Sequence, residues 1–110
     1  MLDSVEIFLD KYYFFAKNIH TGNKKKFESI DMIYIVMEAI KALIVVIEEN
    51  RLSEIDTSTL NNLIHFSKVY VDTVSPLTTS NAKKTVILEL TKEIEKLETL
   101  LNNQEISPKR

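Results

Sequence analysis

The stretch from Ile30 to Ile47, IDMIYIVMEAIKALIVVI, carries charge only at Asp31, Glu38 and Lys41. Wound at 3.6 residues per turn, Asp31, Tyr34, Glu38, Lys41 and Glu48 form one narrow strip, and every other direction is Ile, Val, Met, Leu or Ala. A helix this apolar has to be enclosed, by its own domain or by a partner. Ile, Val and Tyr also suit a strand. The block Met37-Glu38-Ala39-Ile40-Lys41-Ala42-Leu43 and the length of the run decide for a helix.

The flanking segments supply helices to enclose it. Asp3 and Glu6 have the spacing of a capping box, and Val5, Phe8, Leu9, Tyr12, Phe15, Ala16 and Ile19 then recur at helical intervals, which predicts a first helix over 3–19. Tyr13 and Phe14 widen its apolar face into an aromatic flank. The run His20-Thr21-Gly22-Asn23 is a break, with the one glycine of the chain as a left-handed helix stop. Cations are unfavourable at a helix N-terminus, so Lys24, Lys25 and Lys26 belong before the second helix. Ser29 is its cap, Asp31 lies in its first turn, and it runs to about residue 50.

A third helix is expected from the caps at Asp56, Thr57 or Ser58 to Val74, where Pro76 forbids continuation. Leu60, Leu63, Ile64, Val71 and Val74 give it an apolar face, with Ser67 in the same line and Phe66 and Tyr70 beside it. A fourth helix is expected over 81–103. Val86, Leu90, Ile94, Leu97 and Leu101 make a heptad-like seam in it, and Glu89–Lys92 and Glu93–Lys96 are spaced to pair. The tail over 104–110 is polar and is expected to be flexible.

One glycine and two prolines among 110 residues leave little material for hairpin turns. The length suits one core and one domain. These readings converge on an all-α protein: a single-domain antiparallel four-helix bundle over 1–103 with an unusually apolar second helix.

Composition excludes several chemistries. No cysteine is present, so thiol nucleophiles, disulfides and thiolate metal sites are out. With 14 basic against 16 acidic side chains there is no general attraction to nucleic acid or to anionic lipid. The second helix falls short of the roughly 20 apolar residues that cross a bilayer, and the first residues lack the basic start of a signal peptide. A cytoplasmic protein without membrane attachment is expected.

The remaining candidates for chemistry read as structure. His20 and His65 have no His or Glu at helical ligand spacing, so His20 reads as a loop residue and His65 as a helix flank. Glu48, Glu49 and Glu54 read as a solvated helix end, facing lysines such as Lys24 to Lys26. Thr57-Ser58-Thr59 and Thr78-Thr79-Ser80 read as caps. One glycine builds neither a phosphate loop nor a nucleophile elbow. No catalytic, cofactor-binding or metal-ligating residue and no small-molecule substrate is assigned.

An expected function follows from surplus apolar surface. The chain reads as a non-enzymatic protein-binding module, an adaptor, inhibitor or immunity-type factor. It is expected to self-associate as a homodimer, or to bind another protein, through Met32, Tyr34, Ile35 and Met37 of the second helix and Leu90 and Leu97 of the fourth. The alternative is a small helical subunit of a nucleic-acid-associated complex, with Lys24, Lys25 and Lys26 as phosphate contacts and Lys83 and Lys84 beside them.

Overall fold

The computed structural model describes residues 3–21 and 29–106, and among them the regular structure is entirely helical. Helix α1 spans Ser4–Thr21, α2 Ile30–Glu48, α3 Thr57–Val74 and α4 Asn81–Ile106, with short 3-10 turns at Leu52–Glu54 and Ser75–Leu77. This is the antiparallel four-helix bundle that the periodicity predicts. Lys11 meets Glu38 at 3.1 Å and Ser4 meets Glu49 at 2.7 Å, so α1 and α2 run in opposite directions. Lys68 of α3 pairs with Glu98 of α4, and the grooves between those helices set Asp72 against Thr91 and Leu60 against Asn102, the same reversal.

Helix α2 is the central element and packs most extensively on α1 and then on α4. Ile33, Val36, Ile40, Leu43 and Val46 are fully enclosed. The need for a cover around α2 is therefore met largely within the chain: α1 contributes Phe8, Tyr12 and Phe15, and α4 contributes Leu90, Ile94 and Leu97. Phe15 meets Tyr70 of α3 edge to face, with ring centroids 5.6 Å apart at 87°. Tyr70 thus belongs to the core rather than to its flank. The seam of α4 lies inside as expected, joined by Ile87.

The local signals act where they were read. Glu6 N–H donates to Asp3 Oδ1 at 3.0 Å and Asp3 N–H donates to Glu6 Oε1 at 3.3 Å, a complete capping box. Ser29 is extended and its hydroxyl accepts from Met32 N–H at 3.1 Å. Asp56 occupies the N-cap of α3 without a side-chain cap bond, and Ser80 accepts from Lys83 N–H at 3.4 Å before α4.

Helix α2 ends in a motif that the sequence reading placed only roughly. Asn50 has φ 59, the left-handed conformation that Asn tolerates better than most residues. Its N–H reaches Ile47 C=O at 3.0 Å, and Arg51 N–H reaches Val46 C=O at 2.9 Å. That pair of bonds is a Schellman turn, with Asn where glycine is usual.

Several expectations need correction. Helix α1 continues through Thr21, so His20 is helical and not in a loop. Gly22 and Lys24 to Lys26 lie outside the described residues. Helix α4 runs to Ile106, past the boundary expected at 103, because no proline or glycine interrupts Asn103 to Ile106. Neither Glu89–Lys92 nor Glu93–Lys96 is an ion pair among the described residues, where Glu98 reaches across to α3 instead.

Candidate functional site

The residues singled out for partner binding separate into two sets. Met32, Met37, Leu90 and Leu97 are buried in the bundle itself and present no surface, since the core closes around α2 from both α1 and α4. Ile35 is partly buried. Tyr34 is 45% exposed and Val45, which the sequence reading left out, is 40% exposed. With Asp31, Glu38, Lys41 and Glu48, these two complete the one exposed strip of α2.

That strip borders α1. Between them runs an open groove of about 540 Å³ whose floor is Ile7, Ala42 and Val45. Its rims are charged: Lys11, Glu38 and Lys41 on one side, Asp3, Glu49 and Arg51 at the other end. The register fixed by Lys11–Glu38 sets Phe14, three residues on from Lys11, level with Tyr34, four residues back from Glu38. Phe14 is 40% exposed. The α1/α2 face thus has an apolar groove at one end, an aromatic rise at the other, and a charged band between them.

Arg51 closes the groove end, and the Schellman turn aims it. Its guanidinium donates to Glu54 at 2.8 and 3.0 Å and to Asp3 at 3.3 Å, and lies 3.6 Å from Glu49. Glu49 also accepts from the Ser4 hydroxyl at 2.7 Å. Glu49 therefore faces Arg51 and α1, and the lysines expected opposite this helix end, Lys24 to Lys26, lie outside the described residues. The carboxylate of Asp3 titrates below its ordinary value, chiefly because it accepts from Glu6 N–H, with Arg51 adding to the effect. Glu54 is also held low, mainly by its hydrogen bond from Arg51, and Arg51 is held more firmly protonated in return.

Among the described residues, no group of three or more His, Asp or Glu side chains could hold a metal ion. His65 is exposed on α3, its ring 5.7 Å from that of Phe66. Among the described residues, no helix is long and apolar enough to cross a membrane. Lys83 and Lys84 sit in the first turn of α4, and Lys24, Lys25 and Lys26 are outside the described residues.

Fold and face together define a small all-α bundle with one mixed apolar and charged two-helix surface. No family model, curated protein or solved structure matches the chain.

The sequence reading missed Ile7, Val45 and Arg51. Spacing held a signal for two of them. Positions 31, 34, 38, 41, 45 and 48 alternate steps of three and four, so Val45 belongs in the strip, and Arg51 stands three before Glu54. Nothing local marks Ile7, whose role depends on which residues of α2 lie opposite.

Proposed function

We propose that the chain is a non-enzymatic protein-binding module, in the manner of an adaptor, inhibitor or immunity-type factor, and that the α1/α2 face is its working surface. The observation that carries this reading is the groove. Its floor is apolar, its rims are charged, and half-exposed Phe14, Tyr34 and Val45 stand along the same face. Exposed apolar and aromatic side chains gathered on one face and flanked by charges suit a protein partner. In this reading the protein works in the cytoplasm, which fractionation of its native cells checks. The binding test is a photo-crosslinking amino acid placed at Val45, with Leu88, exposed on α4, as control. Position 45 should yield polypeptide adducts in native cells and position 88 should not; a position 45 that stays free of adducts overturns the reading.

A further inference from the structure

The exposed strip of α2 has an internal symmetry. Reversed about the point midway between Ala39 and Ile40, Tyr34 exchanges with Val45, Glu38 with Lys41, and Asp31 with Glu48. Laid antiparallel on a second copy of itself, the strip puts each Glu38 opposite a Lys41 and each Tyr34 opposite a Val45. The first pairing is opposite in charge and occurs twice; the second is apolar and also occurs twice. The like-charged Asp31 and Glu48 fall at the outer ends, where solvent screens them.

Helix α1 continues the same symmetry. The aromatic rise of Phe14 and Tyr34 lies at one end of the face and the groove floor of Ile7, Ala42 and Val45 at the other. A two-fold axis through the charged band sets the rise of each copy into the groove of its partner. A surface that is self-complementary in this way is what an isologous dimer requires.

We infer that the occupant of the α1/α2 groove is a second copy of this chain, docked about a two-fold axis with the α2 helices antiparallel and Glu38 facing Lys41 of the partner. This rests on the reading of that face as a binding surface. The face is about 28 Å long and ~20 Å wide, which gives about 1,100 Å² buried in total, the low end for specific association. A face of that area fits a reversible dimer rather than a permanent one.

The chain's lack of cysteine makes the register directly testable. Tyr34 and Val45 are about 16 Å apart along one helix, too far for a disulfide within a chain. Under mild oxidation, the Tyr34→Cys chain mixed with the Val45→Cys chain should give a covalent heterodimer, whereas each alone should not. Sedimentation of the unmodified protein should show a monomer–dimer equilibrium in the range of tens of micromolar. Val45→Arg should weaken it at least about 10-fold. Glu38→Lys and Lys41→Glu should each weaken it, and the two together in one chain, with Lys11→Glu added to keep the intrachain pair to residue 38, should restore it to within about 3-fold. A monomer at all concentrations up to about 1 mM overturns the inference, and so does oxidation that joins either single variant to itself as readily as the mixture. If the chain is monomeric yet a photoprobe at Val45 still captures a different protein, the second copy falls and the binding face stands.

Discussion

Shortening Leu43 to alanine probes whether α2 is enclosed by its own chain. Leu43 has no solvent exposure. Removing about three methylene equivalents forfeits roughly 2.4 kcal/mol of transfer free energy at ~0.8 kcal/mol each. Neighbours on α1 and α4 are held by their own packing and cannot fully collapse, so an unfilled cavity raises the loss to about 3–4 kcal/mol. A chain of this size is stable by roughly 5–15 kcal/mol in total, so the variant should remain folded but melt about 13–17 °C lower. Urea denaturation followed by circular dichroism, at about 2 and about 50 μM protein, gives the difference and its concentration dependence. Val45→Ala, two residues away on the exposed strip, should cost under about 0.5 kcal/mol at the lower concentration. A Leu43→Ala loss below about 1 kcal/mol would refute the enclosure, as would a loss present only at the higher concentration, because the cover would then come from another molecule.

Other consequences are equally direct. The Ser67 hydroxyl is buried without a hydrogen-bond partner among the described residues, so Ser67→Ala should stabilise the bundle by about 1 kcal/mol in the same urea assay, unlike most core substitutions. Ser29→Ala should cost about 1 kcal/mol and Ser29→Asp almost nothing, since an aspartate can accept the same Met32 N–H bond. At Asn50, glycine should be neutral or slightly stabilising and valine should cost about 1–2 kcal/mol, because only the latter resists positive φ. Asp3 and Glu54 titrate below their ordinary values of 3.8 and 4.5 in the folded state. Their contribution is thus complete above those values and disappears as pH falls through the lower, folded ones. The stability gap between the parent and Arg51→Met should accordingly be widest near neutral pH and narrow steadily below about pH 4, as read by urea midpoints along a pH series.

The fold was legible because its determinants are local. Capping at Asp3 and Ser29, the stop at Pro76 and the seam from Val86 to Leu101 each depend on residues within a few positions of one another. The working face was not legible in the same way. Met32 and Tyr34 look equally available in the sequence, and only the packing of α1 and α4 makes the first interior and the second exposed. Core and interface draw on the same residue types, so a list of apolar positions on α2 cannot separate them. Arg51 escaped notice for a related reason: Asp3, one of its three carboxylate partners, is 48 positions away in the chain.

Central placement of α2 also fixes its reading frame. One residue inserted or deleted near Ala39 turns everything beyond it by about 100° and slides it about 1.5 Å. With a deletion Lys41 and Glu48 would take the buried places of Ile40 and Ile47, and with an insertion Ile40 and Ile44 would take the exposed places of Lys41 and Val45. Changes of length that keep this protein folded are thereby confined to the joints between its rods, and the middle rod acts as a ruler that permits substitution but not slippage.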